Sequence, residues 1–161
     1  MLRGHTAAEL DDELALWSDP LVTRYIGGKP FGREEVWSRL QRYAGHWALQ
    51  GFGFWQVRER GTDRFVGDVG FADFKRDLPV SFDGAPEAGW VLAPGSHGKG
   101  YATEAVLAAL GWIRAAGYQR TVCMIDPPNA PSHRVAGKCG YRELTRSSYK
   151  GSPVVILERD A

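Results

Sequence analysis

Between Gly89 and Gly117 an apolar strand, a glycine-rich turn and a long helix follow one another without a break, and this unit narrows the folds open to the chain. Trp90-Val91-Leu92 has the composition of a strand, and Pro94-Gly95-Ser96-His97-Gly98-Lys99-Gly100 can only turn. From Tyr101 onward the period changes: Ala102, Ala105, Val106, Ala109, Leu110 and Ile113 recur at helical spacing, and Gly117 supplies the stop. The first amides of such a helix have no intrahelical partner and lie at the positive end of its dipole, so an anion belongs there. Gly98 and Gly100 let a phosphate approach the backbone, and Lys99 adds a mobile positive charge. The same glycines would serve a sharp strand-to-helix turn with no ligand at all. Neither the G-x-x-x-x-G-K-[ST] spacing of a nucleotide P-loop nor the full G-x-G-x-x-G of dinucleotide folds is present.

The string His97-Gly98-Lys99-Gly100-Tyr101-Ala102-Thr103-Glu104-Ala105 resembles the acyl-CoA signature of the GNAT superfamily of N-acetyltransferases, Q/R-x-x-G-x-G/A. Gly100 and Ala102 fill its last two places, and His97 stands where Gln or Arg is usual. The wording is similar to the subgroup that includes the ribosomal-protein N-terminal acetyltransferases. A second segment, Asn129-Ala130-Pro131-Ser132-His133-Arg134-Val135-Ala136-Gly137-Lys138-Cys139-Gly140-Tyr141, resembles the N-x-x-S-x-x-V-x-x-K-x-G-[FY] run of that subgroup. Two motifs in the right order are far more specific than either alone.

The resemblance implies one α/β domain over residues 1–161, with a mixed central sheet of about six to seven strands, four main helices and strands splayed at the CoA site. It implies acetyl-CoA as co-substrate and no metal. The strands at Trp90 and Val122 would diverge, leaving backbone groups of Val91 and Leu92 free for the pantetheine arm. His97, Gly98, Lys99, Gly100, Tyr101 and Ala102, with Thr103 in the same turn, would hold the pyrophosphate. Asn129 would bind the pantetheine, and Ser132 would lie near the thioester sulfur. Asn and Ser at those places also serve as helix caps, and the two roles are compatible.

The implied reaction is attack of a primary amine on an acetyl thioester. It needs a neutral amine, a polarised carbonyl, for which the Leu92 amide is a donor, and a stabilised leaving thiolate. Many relatives carry a Tyr acid seven residues after the Asn, where this chain has Ala136, so Ser132 becomes the candidate thiolate partner. Glu87 is the first candidate base and Asp126 the second; an exposed charge at a strand end is the competing account of Glu87. Glu104, inside the signature but on the helix, is expected to be structural.

A chain of 161 residues fits one domain, and 20 basic against 19 acidic residues leave no electrostatic footprint for nucleic acid or membrane. With no apolar run long enough for a bilayer and no signal-peptide core, a soluble cytoplasmic protein is expected. Cys123 and Cys139 lack metal-ligand spacing and are expected to be reduced core thiols. The acceptor stays open between a small-molecule amine and a protein N-terminus, and the assembly between monomer and homodimer. Ala136 also leaves room for a catalytically weak or inactive CoA-binding sensor. A phosphate-binding module unrelated to CoA would make the Asn129-Ser132 pair a coincidence.

Along the chain, Met1 to His5 gives a short first strand; relatives begin with a longer one, so either that strand is abbreviated or the chain starts internally. Thr6 and Glu9 make a capping box for a helix carrying Leu10, Leu14 and Trp17 on one face. Leu21 to Ile26 is short and helical or irregular. Arg33 to Gln50 is a second amphipathic helix with Val36, Leu40, Tyr43, Ala44 and Trp47 at helical spacing. The resemblance sets these helices beside the acceptor cleft, with Tyr25, Trp37 and His46 as contacts unless they pack on the sheet. Phe52–Arg58 and Phe65–Phe74 predict a β-hairpin, with Gly67 and Gly70 marking a bulge or close backbone approach. The loop from Lys75 to Pro86 is long enough to line a site. Thr121–Ile125 is a buried strand, a helix runs from about Ser132 to Lys138, and strands at Tyr141–Ser148 and Pro153–Glu158 pair across Lys150-Gly151.

Overall fold

A computed structural model describes residues 1–160. Seven strands form one mixed sheet, β1 (Leu2–Arg3), β2 (Phe54–Arg58), β3 (Phe65–Ala72), β4 (Glu87–Leu92), β5 (Arg120–Ile125), β6 (Arg142–Tyr149) and β7 (Ser152–Asp160), in the order β1-β2-β3-β4-β5-β7-β6. Every neighbouring pair is antiparallel except β4 and β5, which are parallel and joined through the helix α4 (Tyr101–Ala115). The other helices are α1 (Leu10–Trp17), α2 (Pro20–Thr23), α3 (Arg33–Gln50) and α5 (Ala130–Lys138). Four helices exceed a single turn, as expected.

The periodicity of α4 does what its pattern predicts. Ala105, Val106, Ala109, Leu110 and Ile113 are buried against Val69 and Phe71 of β3 and Ala88 and Leu92 of β4, while Ala102 is only partly covered. The opposite face of the sheet carries α1 to α3, where Leu16, Trp17, Val22, Val36 and Val91 form one cluster and Tyr43, Phe54 and Ala72 another. The expected capping box is present: Ala8 N–H donates to Thr6 Oγ1 (3.2 Å) and Thr6 N–H to Glu9 Oε2 (2.6 Å), on a turn that runs into α1. The core face of α1 differs from expectation, because Glu13 and Leu16 lie on it with Trp17, while Leu10 and Leu14 are half-buried.

Gly67 and Gly70 mark close backbone approach. A Cβ at Gly67 would lie 2.2 Å from Val91 O, and one at Gly70 would lie 2.3 Å from Gly53 O. α5 starts at Ala130, earlier than expected, because Pro131 falls in its first turn, where a missing N–H breaks no helical bond. β6 and β7 join through Lys150 and Gly151, both at positive φ (51° and 80°), which gives a two-residue turn matched to the twist of the strands.

Candidate active site

The parallel junction is where the sheet opens. β4 and β5 share a single paired position, Glu87↔Val122, with Val122 N–H donating to Pro86 O (3.1 Å); from there towards their C-terminal ends the strands part. Ala93 N–H donates to Val66 O (2.9 Å), so by strand alternation Val91 turns its N–H and C=O towards β3, where it pairs with Asp68, and Trp90 and Leu92 turn theirs into the gap. Val91 is therefore not the free position that the sequence suggested. Its place is taken by Trp90, which spacing alone could not separate from its neighbour. Leu92 is half free, because its carbonyl oxygen lies 2.9 Å from His97 Nε2 and only its N–H is left open.

At the mouth of the gap, Pro94–Ser96 makes one tight turn and Gly100 caps α4 in the left-handed region (φ 85°), with Gly98 in the same region (φ 75°). The glycines are required by backbone geometry as well as by access: a Cβ at either would meet no protein atom within 4 Å, yet a side chain there would be strained. Among the described residues, the amides of Gly98, Lys99, Gly100, Tyr101, Ala102 and Thr103 have no hydrogen-bond acceptor; the first satisfied one belongs to Glu104, which donates to Gly100 O (3.1 Å). His97, Gly98, Lys99 and Gly100 are exposed and Tyr101, Ala102 and Thr103 half-buried. The His97 ring folds back on Leu92 and the backbone N–H of His97 donates to Pro94 O (3.1 Å), so the expected pyrophosphate contact at His97 has neither a free ring nitrogen at Nε2 nor a free amide.

The loop is braced by residues that sequence reasoning missed. Tyr101 Oη donates to Glu59 Oε1, Arg64 NH1 to the buried Ser96 Oγ (3.1 Å), and Arg64 lies 3.4 Å from Glu59. Hydrogen bonds from Thr62, Tyr101 and Arg64 hold the Glu59 carboxyl down at about 2. All of them except Tyr101 and Ser96 sit in the β2–β3 turn, some forty residues away, and no local pattern announces the contact.

On the β5 side, α5 begins just beyond the strand. Asn129 Oδ1 accepts from Ser132 N–H (3.2 Å) and caps the helix, leaving the Asn129 amide hydrogens without a partner among the described residues. Ser132 is half-buried and lies one turn before Val135 and Ala136, on the inward face of α5. Ala136 is fully buried, and its methyl group offers no acid at the position where the resemblance implies a Tyr.

Glu87 is not an exposed strand-end charge. It is 6% exposed, and its two oxygens accept from Arg76 Nε (2.6 Å) and NH2 (2.7 Å) in a forked pair that pins the 75–86 loop to β4. Asp126 is half-buried beside the opening of the gap. Glu104 is exposed in the first turn of α4. Of the expected acceptor-side contacts, Trp37 is 38% exposed on α3, Tyr25 is half-buried under Arg24, and His46 is buried against Phe74 (centroids 5.5 Å apart). Burial and the nearby Arg42 charge hold the His46 imidazole below its usual range.

One cluster had no signal in the sequence. His5, Glu13 and Asp68, from three distant elements, meet beneath α1 with side chains 2% exposed or less; His5 Nε2 lies 3.1 Å from Asp68 Oδ1 and 3.3 Å from Glu13 Oε1. Trp17 Nε1 donates to Glu13 Oε2 (3.1 Å). These are ligand types for a metal, with donor atoms within 4.8 Å of one another, but a protonated imidazole accounts for both short contacts. Burial by itself would lower the His5 pKa; hydrogen bonds and charges from Asp68 and Glu13 outweigh it and raise it to about 9. Burial and the Asp68 charge push the Glu13 carboxyl up to about 8.

Comparison with known proteins agrees with this geometry. A family model described as "Acetyltransferase (GNAT) domain" matches residues 1–142. YnaD, an uncharacterized N-acetyltransferase of Bacillus subtilis (strain 168), is 29% identical over 126 residues, 78% of this chain and 68% of YnaD. A structure from Bordetella pertussis assigned to the GnaT family of acetyltransferases superposes with a TM-score of 0.85 at 28% identity, covering 98% of this chain and 93% of that one. The spermidine N-acetyltransferase of Vibrio cholerae, solved with CoA and spermine, shares the fold at a TM-score of 0.78 and 16% identity, over 99% and 94% of the two chains. With the family model matched over residues 1–142, the chain belongs to the GNAT family and is an acetyltransferase.

Proposed function

We propose that the protein transfers the acetyl group of acetyl-CoA to the nitrogen of a primary amine, either a small molecule or a protein N-terminus, by direct attack on the thioester. The observation that carries this reading is the run of unpartnered amides from Gly98 to Thr103 at the mouth of the β4–β5 gap. Those amides and Lys99 suit the pyrophosphate, the open groups of Trp90 and Leu92 suit an extended arm lying along β4, and the Asn129 amide hydrogens face it from the other side. The pantetheine carries the thioester whose carbonyl the amine attacks.

The protein's own groups then have separate tasks. Leu92 N–H, the open donor of that residue, is our candidate to hold the carbonyl oxygen, and the half-buried Ser132 Oγ our candidate partner for the departing sulfur. Glu87, the first candidate to take the amine's proton, must first release Arg76. That demand is modest for an α-amine, whose reference pKa near roughly 8 leaves an appreciable neutral fraction at neutral pH. Asp126 is the second candidate. The ribosomal-protein subgroup remains the reading of the GKGYATEA wording and of the second motif.

Amine-dependent release of thiol from acetyl-CoA over a panel of N-terminal peptides, amino acids, polyamines and aminoglycosides tests the proposal, with the acetylated product identified by mass. Ser132→Ala is expected to lower kcat about tenfold while KM for acetyl-CoA stays within about twofold. Tight acetyl-CoA binding with no amine-dependent thiol release from any acceptor would favour a CoA-binding sensor instead.

A further inference from the structure

α3 carries two guanidinium groups that no carboxylate neutralises. Among the described residues, neither Arg39 nor Arg42 has a carboxylate oxygen within 4.0 Å, although Arg76, the next cation along this face, is fully engaged by Glu87. Arg39 is half-buried and stacked on two rings, whereas Arg42 is exposed, with its guanidinium 5.8 Å from the Phe74 ring centroid. Arg39 lies 3.7 Å from the Trp17 ring centroid and 4.8 Å from that of Phe31, with its Nε buried and unpartnered; Arg42 lies over Phe74, whose ring also carries Arg76 at 4.6 Å.

The two arginines open into one cleft of about 340 Å³, lined by Phe31, Glu34, Glu35, Ser38, Arg39 and Arg42. Its acidic members do not neutralise them. Glu35 accepts from Gly32 N–H (2.9 Å) and lies 3.8 Å from Lys29, and Glu34 is exposed on the first turn of α3. The cleft also abuts the reacting strand through single side chains. Trp17, under Arg39, packs with Val91 of β4, and Phe74, under Arg42, holds Arg76 against Glu87 at the vertex of the splay. Arg39 and Arg42 form no ion pair with the two glutamates of the cleft and repel one another, and partial burial together with the charges of Arg39 and Arg76 lowers the Arg42 pKa without discharging it. An anion relieves that repulsion, and a polycation adds to it.

We infer that the acceptor is an amine that also bears a carboxylate, a free amino acid or a peptide with an acid beside its N-terminus, with Arg39 and Arg42 seating the carboxylate while the nitrogen faces β4. Planar guanidinium groups suit this task because they present paired donors to both carboxylate oxygens. The inference rests on the transfer reading above and narrows its acceptor to one chemical class.

Matched pairs test it: free amino acids against their carboxamides, with spermidine as the polycation, each followed by thiol release. The carboxylate form is expected to have a KM about ten- to hundredfold below that of its amide. Arg42→Gln should erase most of that difference with KM for acetyl-CoA unchanged. Arg39→Lys, which keeps the charge but loses the planar fork and its stacking, should retain part of it where Arg39→Gln does not. Thiol release with equal KM for acids and amides, a preference for spermidine, or an acid preference that survives Arg42→Gln would overturn this inference and leave acetyl transfer standing. Absence of thiol release with every acceptor, despite acetyl-CoA binding, would overturn both.

Discussion

The two sides of β4 are built from different material. On the α4 side, the loop from Gly98 to Thr103 presents backbone: open amides, two left-handed glycines and one exposed lysine. On the α1–α3 side, the strand faces side chains gathered from across the chain, the His5–Glu13–Asp68 cluster, the Arg76–Glu87 pair and the ring-mounted Arg39 and Arg42. A site made of backbone needs only a contiguous stretch with the right turn chemistry. A site made of side chains needs the sheet to bring remote residues together. The first kind suits a ligand common to a whole family, and the second suits a ligand that changes from one member to the next.

If that contrast holds, substitutions in the buried His5–Glu13–Asp68 cluster should register first as lost stability, and substitutions in the loop as lost binding. Asp68→Ala has the largest expected effect. It leaves the buried, protonated His5 without its nearest counter-charge, and the loss should be about 3–5 kcal/mol of unfolding free energy by chemical denaturation. A loss below about 1 kcal/mol would mean that the cluster is not an ion pair. Gly100→Ala should cost much less, about 1 kcal/mol, because only its left-handed conformation resists a methyl group and no atom lies in the way. A loss as large as that of Asp68→Ala would erase the contrast.

The pH dependence of stability reads the same buried cluster without a substitution. His5 and Glu13 both have folded pKa values above their unfolded ones, about 9 against 6.5 and about 8 against 4.5. The folded protein therefore binds more protons than the unfolded one between these limits, and stability falls as pH rises through that window. Tm should drop between pH 6.5 and 9, and the drop should shrink in His5→Gln. A Tm that rises over this range would contradict the protonated cluster.

The same contrast explains what the sequence could disclose. The glycine loop, the capping Asn129 and the period of α4 were all legible, because each is written in neighbouring residues. The free position on β4 was misplaced by one residue, since Val91 and Trp90 differ only in which neighbour their peptide groups face. Glu87 was read as a base on its place in the strand, and its partner Arg76 lies in a loop whose path no pattern dictates. Glu13 falls at helical spacing from Trp17, yet a carboxylate on a core face is evident only once His5 and Asp68 are placed beside it. Arg39 and Arg42 look like ordinary solvated charges on an amphipathic helix until the rings beneath them are seen.

The central claim is that the loop from Gly98 to Thr103 holds the pyrophosphate of acetyl-CoA, and calorimetric titration of the wild-type protein beside Ala102→Glu tests it most directly. Ala102 has an ordinary helical conformation, and an acidic residue in the first turn of a helix is favourable to folding, so the variant should keep its Tm. The account predicts micromolar binding by the wild type and at least about a hundredfold weaker binding by Ala102→Glu, where the carboxylate meets the phosphates. Equal affinity in the two folded proteins, or none in either, would contradict it.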